Sequence, residues 1–297
     1  MACKFCGSDR TVKNGRVNGK QLYRCKDCKH QYLDNGASVG IRTKTEVVAS
    51  ALNLYYDGLS TWKIQRQIAK IFKVDVSPVA IWKWVMKYSE LVSDYVSTLK
   101  PQLSGKYHHD ETQFRVGGED RYFWETIDED SRYLVAHLLG QSRTSEDAKK
   151  VFAQALEKQR PTVLFTDGSF AYEDAFNKTF YTRYKAEQVQ WVRRVGIKTR
   201  ETNQIIERKH GTLKDRLRPA RGLKHDTTAS KWLDGYVVNY NFVKPHLALN
   251  GKTPAQVAGL DIKADWGDLI QEAIMSKTKR HIEVPIEEVE TIEVIAR

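Results

Sequence analysis

Two aspartates and one glutamate have the side chains from which a metal site can be built. Asp110 lies within Tyr107–Val116, and Asp167 directly follows Val163–Thr166, two short runs with the pattern of β-strands. Each aspartate stands where an apolar residue is expected, and Glu207 lies in a helical pattern further along the chain. Carboxylate oxygens are the ligands that hard divalent cations prefer. The sequence therefore predicts a divalent-metal site, provided that the fold brings the three side chains together.

Glu207 belongs to the segment Asn203–Lys214, which is predicted to be a helix. Glu207, His210 and Lys214 then share one face, because residues three and seven positions apart lie one above another on a helix. Taken alone, a single carboxylate in a basic helix is more often a solvated residue that forms surface ion pairs. The two aspartates upstream favour the metal-site interpretation.

The neighbours of Asp110 have separate interpretations. Glu111 is adjacent in a strand, so its side chain points to the opposite face, and we interpret it as a non-ligand. His108 shares the face of Asp110 and is either a hydrogen-bonded structural residue or a support for the metal ligand. A zinc hydrolase that uses His108 and His109 is an alternative, although adjacent histidines on a strand point apart and do not easily share one ion.

The four cysteines all lie within the first 28 residues, as Cys3-x-x-Cys6 and Cys25-x-x-Cys28. Four thiolates in this spacing can close a tetrahedral Zn²⁺ site, which suits a reducing compartment better than disulfides do. Two Asn-Gly pairs between the motifs predict tight turns. Residues 1–36 are therefore predicted to form a small β zinc ribbon, in which structural Zn²⁺ contributes most of the folding free energy.

The chain is basic, with 48 Lys and Arg against 37 Asp and Glu in 297 residues, a net charge of +11. This balance indicates an acidic polymer as a partner, and nucleic acid is the leading candidate. The basic ribbon is either a purely structural clip or one that also touches DNA. The basic run Arg208–Lys224 is either a solvated face or a set of phosphate contacts, and we favour the contacts beside a metal site. The residues predicted to contact DNA are Lys83, Lys87, Arg208, Lys209, His210, Lys214 and Arg218.

Residues 41–97 contain three helical patterns, predicted at Glu46–Asp57, Thr61–Phe72 and Val79–Tyr88. Ser60 and Ser77 are suitable N-cap residues for the second and third helices. Short helices with a tight connection resemble a helix-turn-helix whose last helix enters the DNA major groove. Any small three-helix bundle has the same pattern and remains the alternative.

Residues 98–260 alternate between β and α patterns. Strands are predicted at Tyr107–Val116, Arg121–Ile127, Tyr133–Leu139 and Val163–Thr166, and helices at Glu146–Lys158 and Asp226–Asn241. Three antiparallel strands, a helix and a parallel strand resemble the order of the ribonuclease-H-like fold, and this resemblance implies that the first and fourth strands are neighbours. This arrangement would bring Asp110 and Asp167 together. Residues 261–297 are predicted to be a helix over Asp261–Lys279 and an acidic tail, which is either an edge strand between subunits or a frayed end.

Four ordered motifs within residues 100–260 resemble a known family. They are His-Asp-Glu-Thr at 109–112, Phe-Thr-Asp-Gly at 165–168, Asn-x-x-x-Glu-Arg-x-His-Gly-x-Leu-Lys at 203–214 and Tyr-Asn-x-x-x-Pro-His-x-Ala-Leu-x-Gly-x-Thr-Pro at 240–254. Together they are similar to the DDE transposases of prokaryotic insertion sequences, in the retroviral-integrase-like superfamily. The resemblance implies a multidomain chain with a small β zinc ribbon, an all-α helix-turn-helix (41–97) and an α/β ribonuclease-H-like catalytic domain (98–260).

In this family three acids bind the metal ions, and the motifs assign them to Asp110, Asp167 and Glu207. The spacing departs from the family, because 39 residues lie between Asp167 and Glu207, a few more than usual. Glu201 would leave 33 and is the rival third acid. We prefer Glu207 because the rest of the family's motif surrounds it.

The resemblance implies two Mg²⁺ ions, with Mn²⁺ as a substitute. Water is expected to free a 3′-OH at the end of the element, and this 3′-OH then attacks target DNA. The expected partners are double-stranded DNA, as terminal inverted repeats and target, and at least a second copy of the chain, since two ends are joined. A non-catalytic DNA-binding regulator derived from a transposase is the alternative. No signal peptide or membrane-length apolar run is visible, so a cytoplasmic, nucleoid-associated prokaryotic protein is expected.

Overall fold

A computed structural model describes residues 2–17, 19–34, 43–169, 171–193, 204–220 and 223–283. The chain divides into two compact units. One comprises residues 1–45 and 270–297, and the other comprises residues 46–269. None of the helices in the described segments is long and apolar enough to cross a membrane.

The first unit contains a three-stranded antiparallel sheet in the segment predicted to be a ribbon. Its strands are β1 (Thr11–Val17), β2 (Lys20–Cys25) and β3 (Gln31–Leu33), in the order β1-β2-β3. The core is small, with Cys3, Cys25 and Tyr32 buried and the rings of Phe5 and Tyr23 packed against them. So few apolar side chains contribute little folding free energy, which leaves a role for a metal.

The second unit begins with α1 (Thr45–Tyr56), α2 (Thr61–Phe72) and α3 (Pro78–Ser97). The predicted caps are present, since the hydroxyls of Ser60 and Ser77 accept hydrogen bonds from the first turns of α2 and α3. The helix α3 is longer than the predicted Val79–Tyr88. Buried side chains continue at helical spacing to its end, at Tyr88, Val92 and Val96.

Two apolar residues of these helices lie on the surface rather than in the core. Ile71 and Val79 are 63% and 62% exposed. The burial of α3 is centred on Ile81 and Val85 instead. Lys83 and Lys87 lie between and beyond these buried residues and are exposed, as the helix-turn-helix interpretation requires.

A five-stranded mixed sheet forms the centre of the second unit. Its strands are β4 (Lys106–Val116), β5 (Glu119–Asp128), β6 (Leu134–Gly140), β7 (Val163–Thr166) and β8 (Gln190–Arg193), in the order β6-β5-β4-β7-β8. The first three strands are antiparallel, and β7 and β8 run parallel to β4. The predicted pairing of the first and fourth strands of this sheet is confirmed.

Helices cover both faces of the sheet. On one face are α4 (Ser145–Lys158) and α5 (Ala171–Phe180), whose Phe152 and Tyr172 contact the ring of His109. On the other are α6 (Gln204–Ala220), which contacts Asp110, and α7 (Asp226–Val238), which contacts His137. The described part of the chain continues with a π-helical turn (Asn239–Val243), α8 (Pro254–Val257) and α9 (Trp266–Glu283).

The helix α7 also packs against α1 and α3. The Trp232 indole N–H donates to the Tyr55 hydroxyl at 2.9 Å, and the Tyr56 hydroxyl lies 2.7 Å from Ser89 Oγ. Residues on both sides of the predicted boundary at 97/98 thus belong to one compact unit. The division into a helix-turn-helix domain and a catalytic domain stays a prediction.

Candidate active site

Asp110 and Asp167 lie side by side on neighbouring strands. In the parallel pairing of β4 and β7, His108 is opposite Phe165. Two residues further along each strand, Asp110 and Asp167 stand at the same level, where β7 has just ended. Their carboxylates are 18% and 41% exposed, so both can be reached from solvent.

Asp110 is a mostly buried carboxylate with two other acidic side chains nearby, those of Glu111 and Asp167. Its Oδ1 accepts the Glu111 backbone N–H at 2.9 Å, and its Oδ2 lies 3.9 Å from Nδ1 of His210. Burial raises the pKa of Asp110 to about 6, and His210 opposes that rise, while the charges of Glu111 and Asp167 add to it. A carboxylate in such surroundings gains from an added cation.

Arg143 forms ion pairs with two of these acidic residues, Asp167 and Glu111. It lies in the loop between β6 and α4, and its Nη2 is 3.2 Å from Asp167 Oδ2. Its Nε forms an ion pair with Glu111. Asp167 is fixed further by the Ser169 backbone N–H, which donates to Oδ1 at 2.8 Å.

Glu111 lies on the opposite face of β4 from Asp110, as strand alternation predicts. Its carboxylate is 4% exposed and accepts the Tyr172 hydroxyl of α5. Burial raises its pKa, which the contacts with Tyr172 and Arg143 oppose. Glu111 thus anchors Arg143 beneath the site, and this fits its predicted role as a non-ligand.

Glu207 lies on α6, exposed, one helical turn before His210. Since His210 contacts Asp110, the face of α6 that carries Glu207 is directed along the same edge of the sheet. The three acids do not converge, however. In the described segments, only the four cysteines bring three or more ligand atoms within 4.8 Å of one another. The third-acid assignment stays a prediction, and its rival Glu201 lies outside the described residues.

A buried ionic cluster fixes α6 to the sheet. Glu125 of β5 is opposite Asp110 in the strand pairing, is fully buried and forms an ion pair with Lys209 Nζ. His210 Nε2 lies 2.9 Å from Glu125 Oε1, without the alignment of a hydrogen bond. The Lys209 ammonium lies 5.1–5.4 Å from three aromatic ring centres, those of Phe123, Tyr236 and Tyr240.

This cluster corrects part of the predicted DNA surface. Lys209 and His210 are 3% and 9% exposed, and both side chains face Glu125 rather than solvent. Arg216, within the same basic run, is also buried, 4.3 Å from the Tyr55 ring centre. Predicted contacts that remain exposed are Lys83, Lys87, Arg208 and Lys214. Arg218 lies in α6, but its side chain lies outside the described part of the structure.

The aspartates suit a hard divalent cation by their chemistry. Both offer carboxylate oxygens that solvent can reach at the same end of neighbouring strands, and such oxygens are the ligands that hard divalent cations prefer. The histidines do not support the zinc-hydrolase alternative. The His108 ring stacks on Phe165 at 4.7 Å, whereas His109 Nδ1 lies 2.8 Å from Thr126 Oγ1 on the other side of β4.

The four cysteines form a group with the dimensions of a metal centre. Cys3 Sγ is 3.6 Å from Cys28 Sγ, and Cys6 Sγ is 3.7 Å from Cys25 Sγ. A tetrahedral zinc ion with Zn–S bonds of about 2.3 Å requires sulfur separations of about 3.8 Å. The Phe5 N–H donates to Cys3 Sγ at 3.4 Å, as expected of a thiolate ligand. The group therefore fits Zn²⁺.

Two residues of this site, Glu125 and Arg143, were not predicted from the sequence. Glu125 had a recognisable signal, because it is a carboxylate inside the apolar run Tyr122–Ile127. Arg143 had none, since it lies in a polar loop and its partners are distant in sequence.

Comparisons with known proteins find one family model and several solved structures that are similar to part of the chain. A family model described as a DDE domain (DDE_Tnp_IS240) matches residues 104–246, just under half of the chain. The catalytic core domain of HTLV-2 integrase, solved with magnesium, has 17% identity and a TM-score of 0.40, over 54% of this chain and 98% of that one. The core domain of BIV integrase has 18% identity and a TM-score of 0.39, over 52% and 93%. No curated protein matches the sequence.

The mixed sheet has the topology of a ribonuclease-H-like domain, with Asp110 on β4 level with Asp167 just after β7. By the family match, residues 104–246 are similar to the DDE domain of insertion-sequence transposases. This similarity supports a nuclease or transferase with a general function in DNA transposition and implies the use of a divalent metal.

Proposed function

We propose that this protein is a DNA transposase that binds the terminal repeats of an insertion sequence, cleaves DNA at the element ends and joins the 3′-OH ends to target DNA. The observation that carries the proposal is that Asp110 and Asp167 lie at the same level of neighbouring strands, inside the matched DDE domain. The helix α6 supports it, because Glu207 lies one helical turn before His210, whose Nδ1 is 3.9 Å from Asp110 Oδ2.

Asp110 and Asp167 are proposed to hold two Mg²⁺ ions, with Glu207 as the third acid. When bound, such ions activate the attacking oxygen and stabilise the leaving oxygen of an in-line displacement. The chain itself keeps the carboxylates in place. Arg143 and the Ser169 N–H hold Asp167, and the Glu111 N–H holds Asp110.

DNA contacts are proposed for Lys83 and Lys87 in α3 and for Arg208, Lys214 and Arg218 in α6. Phosphate contacts of this kind position the duplex and make its affinity dependent on salt. The cysteine group is proposed to hold structural Zn²⁺. Because two element ends must be joined, the active complex is proposed to contain at least two copies of the chain, acting in the prokaryotic cytoplasm.

The test is strand cleavage and joining on labelled element-end DNA with Mg²⁺, comparing the wild type with Glu207→Gln and Glu201→Gln. We expect only Glu207→Gln to abolish both steps while DNA binding survives. If Glu201→Gln is the inactive variant, the third acid is wrong. If the wild type binds element ends but never cleaves them with Mg²⁺ or Mn²⁺, the protein is a non-catalytic DNA-binding regulator.

A further inference from the structure

A pocket of about 460 Å³ opens along the flank of α6 beside the face that carries Glu207. It is lined by residues of α6, among them Ile205, Arg208 and Thr212, and by Tyr240 and residues 244–248. Its volume lies within the range of roughly 300–1,000 Å³ that is typical of small-ligand sites. Nothing in the proposed chemistry at Asp110 and Asp167 uses this pocket.

Positive charge dominates the pocket. Arg132, Arg208 and Lys244 line it, and none of its described lining residues is acidic. The Arg132 Nη1 atom is buried and has no hydrogen-bond partner among the described residues. A buried guanidinium nitrogen without an acceptor is costly, so a ligand that supplies an oxygen there gains this interaction.

The backbone of Arg132 supports a role for this side chain. Its φ angle is 61°, a left-handed conformation that residues other than glycine rarely adopt. Such conformations cost free energy and are concentrated at binding sites. The turn between β5 and β6 thereby places Arg132 in the pocket.

The mouth of the pocket is apolar. Leu247 is 98% exposed, and Pro245, which is also exposed, lines the same pocket. A leucine this exposed gains from being covered by a ligand. The pocket therefore combines a cationic interior wall with an apolar lip and suits an anionic ligand that has a flat or apolar part.

We propose that this pocket binds one unpaired nucleotide of a DNA strand. Its phosphate contacts Arg132, Arg208 and Lys244, and its base or sugar lies against Leu247 and Pro245. Arg208 directly follows Glu207 in α6, so a strand held here continues toward the carboxylates. The choice of DNA as the ligand rests on the proposed function, whereas the cationic and apolar walls are observed independently of it.

The test uses a fluorescein-labelled, 5′-phosphorylated thymidine trinucleotide, with affinity measured by fluorescence anisotropy. We expect Arg132→Asn, which tolerates the left-handed backbone, to weaken binding about tenfold. Leu247→Ser should weaken it about threefold without affecting the fold, because this side chain is 98% exposed. Lys149→Gln in α4, on the opposite face of the sheet, removes one charge as the matched control and should leave affinity unchanged.

A fully paired blunt duplex is the second probe, and Leu247→Ser should change its affinity less than twofold. The proposal is overturned if both pocket variants bind the trinucleotide like the wild type, or if Lys149→Gln weakens binding equally. It is also overturned if a leucine-containing acidic peptide displaces the trinucleotide at lower concentration than unlabelled trinucleotide does. Cleavage activity is scored separately. If the wild type cleaves DNA but the pocket variants bind the trinucleotide normally, only the pocket proposal is rejected. If the wild type does not cleave but the pocket variants bind the trinucleotide more weakly, only the transposase function is rejected.

Discussion

The fully buried Glu125 is the residue that links β5 to α6. It faces the Lys209 ammonium and the His210 ring in a region lined by aromatic side chains. Burying charges is costly unless each has a partner, so the cluster is sensitive to the loss of one member. His210 also lies near Asp110. The cluster therefore fixes where α6 lies relative to the proposed site.

Removal of one charge from this cluster should destabilise the protein strongly. We expect Glu125→Leu to lower the free energy of unfolding by about 3–5 kcal/mol, because Lys209 is left buried without its counter-ion. The double variant Glu125→Leu/Lys209→Met should recover most of this loss, since both charges are then absent. Urea unfolding followed by tryptophan fluorescence measures both. A double variant less stable than Glu125→Leu would contradict the account.

His246 gives a pH dependence of stability whose sign follows from its burial. Burial lowers the pKa of His246 below its ordinary value, while its contact with the Tyr240 carbonyl opposes this shift. The unfolded chain therefore takes up the proton first, and stability is lost as pH falls below about 6.5. We expect His246→Gln to show a shallower loss of melting temperature than the wild type between pH 7 and 5. Parallel curves for the two proteins would contradict this.

At the residue scale, sequence predicted what depends on local pattern. Asp110 and Asp167 were identifiable because each interrupts or follows an apolar strand, and the sheet places them together. Lys209 was wrongly predicted to contact DNA, because in sequence it is one of several cations in a basic run. Its neighbours Arg208 and Lys214 are exposed, but Lys209 is buried. Only the packing of α6 on β5 determines which of these cations turns inward.

At the scale of elements, close packing of α7 against α1 and α3 depends on Gly235. A Cβ atom there would overlap the Tyr56 hydroxyl and the Ser89 side chain. The three helices can approach this closely only because residue 235 has no side chain.

Gly235→Ala should therefore lower the free energy of unfolding by about 1–3 kcal/mol through overpacking. Gly211→Ala in α6 is the matched control, because a Cβ at Gly211 meets no atom within 4 Å. This control should raise stability by about 0.5–1 kcal/mol through helix propensity. Thermal melts of both variants test the prediction, and equal effects would contradict the close approach.

The cysteine group gives a prediction about metal content. The purified chain should carry about one zinc ion per molecule by mass spectrometry of the metal, and Cys25→Ser should reduce this to nearly none. The physical reason is that all four sulfurs are needed to close the tetrahedron. Full zinc content in the Cys25→Ser variant would show that another group holds the ion.

Sequence patterns predicted most elements but not all. The strand β7 was predicted with its observed bounds because Val163–Thr166 is a compact apolar run after a proline. Neither α5 nor the four-residue β8 was predicted, since short elements contain too few positions for a period to emerge. The strand β8 is specified by its pairing with β7, a contact between distant segments.

At the scale of the whole molecule, residues 46–269 place the predicted helix-turn-helix and the mixed sheet in one compact unit. Charge and motif order predicted the class of protein, because both are properties of the sequence itself. The packing of α7 against α1 and α3 was not predictable, since it depends on Gly235 and on aromatic contacts between remote segments.

The most direct test of the central claim is anomalous diffraction from crystals of the protein with DNA and Mn²⁺. The account predicts manganese bound by oxygens of Asp110 and Asp167, with the Glu207 carboxylate as a further ligand. Manganese absent from Asp110 and Asp167 would contradict the metal site as a whole. Manganese held by Glu201 in place of Glu207 would contradict the assignment of the third acid.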